Sequence, residues 1–456
     1  MDNNASLARK IQKSLDISWK EGVSAAGMLG IIEYYLVPYA LFLGATTQQV
    51  GFLVALPHLL ASIFQLFTVR AVQLAGSRLG FIIRAAALQA ALLIPLAVLS
   101  FFPARGNISL LILLTIVFRV LGNLVATVWG SLVSDYLPAE KRGYYFGWRS
   151  QIVGVASVAT VGLAGTWLYV MKRLFPALSF LLLFLCASLL RFLSVFLLSK
   201  MTDLPVHLSP DDDFTFFMFL RRFKESNFVK YVFYVSSMMF VTFLAAPYFS
   251  VYMLRDLRFN YLSYTGVQLA SVMAGLVTYP LWGKHADLVG NVRILKVTGL
   301  LIPSIPLLWL LSHHPAYLMA VEAFSGFVWG GFMLCATNFV YDSVSPRKRV
   351  RCLGYFNLMN GVAIFGGASL GGFLAGRLPP VGGFSLLTLF CLSGMFRLLV
   401  HCVLSSRFEE VRVFTKRVSH LQLLSSLVGL HPLANLSKSW NVSSSVGTFP
   451  PEQMRS

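Results

Sequence analysis

The chain has 456 residues, 57% hydrophobic and only 12% charged, with a mean hydropathy of +0.71. A soluble protein carries about a quarter charged residues, so this composition argues against a large soluble enzyme. The 37 Lys and Arg outweigh the 18 Asp and Glu, giving +19. That excess is expected to be cytoplasmic loop bias, with no nucleic-acid partner.

A polar, basic segment, residues 1–21, leads the chain. The apolar run after it has no small-residue cleavage site at signal-peptide distance, so it is expected to be a retained first span. A membrane-spanning helix needs about 20 apolar residues. Runs of that kind fall at approximately 22–43, 50–69, 80–102, 108–133, 144–170, 176–198, 230–254, 264–282, 292–312, 316–341, 353–376 and 384–404. They predict an all-α integral membrane protein of twelve helices: a six-helix bundle over 22–198, a cytoplasmic linker over 199–229, and a second six-helix bundle over 230–404. A polar, Ser-rich tail over 405–456 is expected to be largely disordered.

Loop charge tests this count. With both termini and the even-numbered connections on one side, 28 Lys and Arg lie there and 6 on the other, while Arg119, Arg191 and Arg397 fall inside spans. Positive loops stay cytoplasmic, which predicts a multi-pass protein of the cell membrane, in contact with its lipid, with both termini cytoplasmic. Lys172 and Arg173 are the main exception. Five cysteines, with no Cys-x-x-Cys and no zinc spacing, read as small apolar residues. Asp211, Asp212 and Asp213 read as a solvated linker patch. No metal or cofactor is expected.

The halves repeat. At an offset of 207 residues Asp135, Lys141, Arg142, Gly147, Gly154 and Gly165 fall on Asp342, Lys348, Arg349, Gly354, Gly361 and Gly372. At 206, Arg191 falls on Arg397. Two six-span halves in parallel repeat are a transporter layout.

Between spans eight and nine lies Gly283, Lys284, His285, Ala286, Asp287, Leu288, Val289, Gly290, then Arg293. This resembles the loop motif of the major facilitator superfamily, and the likeness covers roughly residues 15–405. Its first-half counterpart, Gly76, Ser77, Arg78, Gly80 and Arg84, has Ser77 where an acid is expected. The stretch Arg119, Val120, Leu121, Gly122 looks like the family's fourth-span arginine motif, one residue short before its glycine. The resemblance implies two bundles around a central cavity lined by spans one, four, seven and ten.

Physical chemistry points to the same places. Asp287, at a membrane edge, can accept hydrogen bonds from a neighbouring basic loop, with Arg347, Lys348, Arg349 and Arg351 as donors. Gly283, Asp287, Gly290 and Arg293, together with Asp135, Arg142, Asp342 and Arg349, are the expected cytoplasmic gate. Solvated loop charges are the alternative.

An ionisable group at bilayer depth costs about 3 kcal/mol or more, so it needs a partner or a water-filled cavity. Glu33 and Arg119 each lie about eleven residues into their spans, roughly 16 Å deep. They are expected to share the cavity, and protonating Glu33 would free Arg119 to hold substrate. A permanent structural ion pair is the alternative. Glu322 is a second cavity carboxylate or a residue near the mouth. Tyr34, Tyr248, Tyr252 and Trp329, with Tyr35 and Tyr39 and the amides Asn123 and Asn338, complete the expected binding surface. Arg191 and Arg397 are expected to snorkel or pair structurally. His58 is expected to be a packing residue.

The sequence contains no phosphate-binding loop and no catalytic constellation. The expected function is secondary transport of a small organic solute by alternating access, proton-coupled, in a monomer, without enzymatic activity. The alternative is a non-transporting membrane sensor or assembly factor on the same fold, using the tail for partners.

Overall fold

The computed structural model describes residues 2–102, 107–172, 174–204, 221, 226–344 and 346–411. Their helices are α1 (Asp2–Phe42), α2 (Thr47–Gln65), α3 (Thr68–Ala75), α4 (Arg78–Val98), α5 (Asn107–Asp135), α6 (Ala139–Met171) and α7 (Pro176–Leu198), then α8 (Asn227–Phe243), α9 (Ala246–Val251), α10 (Tyr261–Val289), α11 (Asn291–Leu301), α12 (Ser304–Leu308), α13 (Pro315–Ser343), α14 (Pro346–Ala375) and α15 (Ser385–Leu404). The short α3 lies in the loop before the third span. Two spans are each built from two helices, α8 with α9 and α11 with α12. The tail beyond Val411, most of the linker and the Asp211–Asp213 patch lie outside the described residues.

The two broken spans have a local cause. Pro247 stands in the first turn of α9, and Pro303 separates α11 from α12. Proline lacks the N–H that would continue the helical ladder and crowds the preceding turn. Eleven helical stretches among the described residues are long and apolar enough to cross a membrane. The remaining span, the eighth in chain order, is α10, whose 29 residues reach roughly 43 Å. Its last turns carry Lys284, His285 and Asp287, which dilute its hydropathy while leaving its length ample.

The helices sort into two bundles. In the first, α1 packs on α6 and α7, α4 on α5 and α7, and α2 on α5. In the second, α10 packs on α13, α8 on α14 and α15, and α11 on α13. The bundles meet along α2 against α14 and α6 against α10, with smaller contacts from α1 and α2 to α9. Spans two and eleven thus pair as spans five and eight do, as the internal repeat requires.

The repeat glycines make these crossings possible. A Cβ on Gly165 would run into Thr265 of α10, and one on Gly361 into Ser62 of α2. Their repeat partners behave alike: Gly154 meets Leu276 of α10, and Gly372 meets Gln48 of α2 and the Tyr248 hydroxyl. Small residues let helix backbones approach closely where lipid offers no hydrophobic drive between helices.

The face of the bundles at which α1 begins is called the near face here, and the opposite one the far face. A buried cluster at the far face draws on both bundles, including Tyr35, Tyr39 and Phe180 from the first and Tyr248, Tyr252 and Tyr264 from the second. A second cluster (Leu15, Ile82, Val133, Met201 and neighbours) belongs to the first bundle alone and lies toward the near face. Gly290 joins α10 to α11 with φ +92°, a left-handed turn that suits only glycine. The glycine of the loop motif thus makes the turn between the two helices.

Candidate functional site

At mid-depth of the first bundle, α1 presents Glu33 to Arg119 of α5. The guanidinium donates through both Nη atoms to the two carboxylate oxygens, a bidentate pair. The Arg119 side chain is 21% exposed and that of Glu33 40%, so the pair is reachable by solvent at bilayer depth. Leu29, one turn before Glu33, is also exposed, as is Asn123, one turn after Arg119. The sequence expectation that Glu33 and Arg119 meet is met in this geometry.

The two residues after Glu33 belong to a latch across the bundles. The Tyr264 hydroxyl of α10 donates to the Tyr34 carbonyl at 2.8 Å. The Tyr35 hydroxyl donates to the Val161 carbonyl of α6 at 2.6 Å and shares a hydrogen bond of 2.8 Å with Thr265. Farther out, Lys172 Nζ donates to the Tyr261 hydroxyl at 2.9 Å, and Arg255 Nη1 to Thr47 Oγ1 at 2.7 Å. All of these except the Tyr35–Val161 bond join the first bundle to the second at the far face. They also explain Lys172 as an exception to loop-charge bias: its ammonium is held as a latch donor over the Tyr261 ring.

Tyr248 and Tyr252, expected on the cavity surface, are instead fully buried. The Tyr248 hydroxyl donates to the Ala368 carbonyl of α14. Tyr252 packs edge-on against Phe384 and Phe390, its hydroxyl 2.8 Å from His313 Nδ1. The break before α9 turns these side chains into the far-face core. His58 packs edge-on to Phe243, across the bundles. Asn338 is half-buried on α13.

The second bundle contains a cavity of about 200 Å³. It is lined by Thr242, Phe249 and Ser250 from the seventh span, Gln268 of α10, Trp309 beside α12, Glu322 and Trp329 of α13, and Arg397 of α15. Glu322 Oε1 accepts from Trp309 Nε1 at 3.2 Å. Arg397 is 1% exposed and Arg191 4%, so neither snorkels. Arg191 pairs with Glu21 at 3.8 Å and donates to Ser194 at 3.0 Å, while Arg149 approaches the same carboxylate at 3.3 Å. Arg397 donates to Ser393 at 3.1 Å and, at longer range, to the carbonyls of Ile302 and Thr242, where α11 and α8 end. A cation suits a helix C-terminus, so Arg397 ties together the two broken spans. Burial at mid-bundle leaves an arginine no route to the interface, so of the two expected roles, snorkelling and structural pairing, it is the structural one that is seen.

The near-face gate residues divide. Asp135 accepts from Arg78 at 2.7 Å, not from a gate arginine, and Arg142 Nε donates to the carbonyls of Ser134 and Leu137. Arg142, on α6, therefore caps the end of α5 and the loop that follows it. Asp342 accepts from Asn291 at 2.8 Å, which bridges α13 to α11 just after Gly290. Gly283 and Asp287 lie in the last two turns of α10, and Arg293 in the first turn of α11. The side chain of Arg349 lies outside the described residues.

Sequence reasoning missed where the first half finds its acid. Ser77 caps α4, and its hydroxyl donates to Asp203 Oδ2 at 2.5 Å. The Leu79 N–H donates to Asp203 Oδ1 at 3.4 Å. The start of the linker thus delivers a carboxylate to a helix N-terminus, a favourable place for an anion. Met201 is buried there, the Thr202 N–H donates to Ser14 at 3.0 Å, and the Tyr136 hydroxyl donates to the Thr202 carbonyl. Burial pushes the Tyr136 phenol up to about 12, so it remains a donor at working pH. Because Asp203 is exposed, Asp203→Asn is expected to cost only about 0.5–1 kcal/mol in thermal unfolding. Ser77→Ala with Asp203→Asn should cost less than the two singly; additive losses would refute the coupling.

The model of the Major Facilitator Superfamily matches residues 22–302 and 231–428. No curated protein sequence matches the chain. Its fold is similar to that of nucleoside transporter NupG, at 11% identity and TM-score 0.63, covering 88% of this chain and 99% of that one. It is also similar to a bacterial homologue of the human lysosomal transporter Spinster, inward-facing and unoccupied, at 13% identity and TM-score 0.61, covering 89% and 99%. A third likeness is to a bacterial homologue of the iron transporter ferroportin in an inward-facing state, at 14% identity and TM-score 0.62, covering 87% and 99%. Identities this low speak for the fold alone. With two bundles packed in pseudo-symmetry and a family match along nearly the whole membrane region, this multi-pass membrane protein belongs to the major facilitator superfamily.

Proposed function

We propose that the protein is a secondary active transporter of a small organic solute, working as a monomer by alternating access and coupled to protons through Glu33 and Arg119. Its termini and near face are cytoplasmic, and the membrane is the cell membrane. Glu33 carries the reading: it holds Arg119 in a solvent-reachable bidentate pair, and the next two residues, Tyr34 and Tyr35, belong to the far-face latch. Protonation removes the carboxylate charge that holds the guanidinium. The freed Arg119 then offers N–H donors to a solute, while α1 loses an anchor one residue from the latch. A ligand shifts a two-state equilibrium only through its different affinity for the two states. Here the proton and the solute both act on α1, so each biases the same opening.

The charge bias of 28 against 6 supports the orientation. Transport activities named for the similar structures agree with a transporter, although their nucleoside and iron cargoes differ from one another.

The test is solute flux in proteoliposomes under an imposed pH gradient. Wild-type flux is expected to follow the gradient, and Glu33→Gln to retain exchange without responding to pH. An unchanged pH response in Glu33→Gln would sink the coupling. Absence of flux for every solute class would favour the sensor alternative.

A further inference from the structure

We propose that the cavity inside the second bundle binds a small zwitterion of the amino-acid class, its ammonium on Glu322 and its carboxylate on Arg397. This rests on the transport reading in one respect, that the bound zwitterion is the cargo.

The chamber brings one acid and one base to a single small space without pairing them. Glu322 and Arg397 both line it, yet no ion pair within 4 Å joins them among the described residues. An unpaired charge away from water is costly, and the cost is relieved when a partner of opposite sign is supplied. The first bundle shows what a protein-supplied partner looks like: Arg191, at the repeat position of Arg397, has the Glu21 carboxylate at 3.8 Å. In the second bundle the carboxylate stands across a cavity instead. A net-neutral ligand with one charge of each sign completes both pairs at once. A purely anionic or cationic ligand completes one and leaves the other exposed to repulsion.

The spare hydrogen-bonding capacity points the same way. A guanidinium has five N–H donors. Arg397 uses one well, to Ser393 at 3.1 Å, and two weakly, at 3.4 and 3.5 Å. Carboxylate oxygens accept two such donors in fork geometry. Glu322 accepts from Trp309, and Ser271 and Ser325 also hydrogen-bond its carboxylate, which leaves about one of a carboxylate's roughly four acceptor sites for an ammonium. Thr242 lines the same cavity, and its buried Oγ1 has no hydrogen-bond partner. The rings of Phe249, Trp309 and Trp329 line the same cavity and suit an aliphatic or aromatic side chain. A cavity of about 200 Å³ suits a small solute better than a drug-sized one.

The chamber is also connected to the latch. Gln268 Nε2 donates to the Tyr264 hydroxyl at 3.0 Å, and Ser250 shares a hydrogen bond of 3.3 Å with it. Gln268 and Ser250 line the cavity, and Tyr264 donates to the Tyr34 carbonyl beside Glu33. A ligand drawing Gln268 or Ser250 toward itself thus alters the hydrogen bonding of the latch tyrosine.

The test is calorimetric titration of the full chain in lipid nanodiscs with L-alanine, L-leucine and glycine betaine. The controls are L-leucinamide, which keeps only the positive charge, 4-methylpentanoate, which keeps only the negative one, and D-glucose. At least one zwitterion is expected to bind saturably, with its single-charge counterparts at least ~30-fold weaker. Glu322→Gln, nearly isosteric, should weaken zwitterion binding by a similar factor. Arg397→Lys should do the same, with thermal unfolding reporting whether the helix breaks survive. Binding of glucose alone, of no zwitterion, or zwitterion binding unchanged in Glu322→Gln would overturn the site. Zwitterion binding without flux would count against the transport reading and leave the site standing. Flux of another solute without zwitterion binding would do the reverse.

Discussion

Arg119→Ala is expected to lower solute flux in proteoliposomes on the order of 100-fold, with Arg119→Lys recovering part of it. The alanine leaves Glu33 at bilayer depth without its cation, where losing one member of a paired charge is worse than losing both. Glu33 is 40% exposed, so water offsets part of that cost, and folding should suffer less than flux. Lysine restores a charge but not the planar fork that meets both carboxylate oxygens. The informative comparison is Glu33→Gln with Arg119→Ala. If the two side chains act as one switch, the double variant transports no worse than Arg119→Ala alone and shows no pH response. Such non-additivity is the signature of groups that share one interaction. Full flux in Arg119→Ala would refute the switch and leave the pair structural.

The legibility of this protein in its sequence follows from what each feature depends on. Span number and the two-bundle layout depend on apolar length and on charge bias, which are local and additive along the chain. The Glu33–Arg119 pair was legible because depth can be counted at 1.5 Å per residue, and two opposite charges at one depth have few other partners. Arg397 was not legible. Its depth was plain, but its partners are the carbonyls of Thr242 and Ile302, freed where α8 and α11 break, and backbone groups carry no residue signature. Tyr248 and Tyr252 were misplaced for the same reason, since the break at Ala245 rotates the helix end that bears them. Glu21 was counted as lying just before the first span, yet α1 begins far earlier and buries it between Arg149 and Arg191. Asp203 was hidden by distance in sequence: it serves Ser77 from the linker, where no loop motif would place it.

Gly165→Leu is expected to move the far face from closed to open while leaving each bundle folded. Gly165 sits where α6 crosses α10, and even a Cβ there collides with Thr265. Thr265 is the latch partner of Tyr35, so the added side chain enters a place where the first bundle hydrogen-bonds the second near Glu33. The three atoms nearest that Cβ all belong to Thr265 of α10, across the bundles. Forcing extra carbons into a close-packed contact costs about 1–3 kcal/mol or more. An equilibrium between two packings responds about tenfold to each 1.4 kcal/mol, so a strain present only in the far-face-closed state shifts populations by roughly 10- to 100-fold. Spin labels at Gln48 of α2 and Leu262 of α10, both exposed at the far face, report the change in a background with Cys186, Cys391 and Cys402 replaced. The label distance is expected to lengthen by several ångström, and thermal unfolding to stay near wild type. Tyr35→Phe should move the distribution the same way by less, because of the two hydrogen bonds it removes only the one to Thr265 crosses the bundles, worth about 1 kcal/mol, and it adds no clash. A distance unchanged in both variants would mean that the far face is held by the aromatic cluster of Tyr39, Phe180 and Tyr261 and not by the latch. Solute flux separates the outcomes further: a transporter trapped with its far face open loses turnover, while one with a merely loosened latch keeps it.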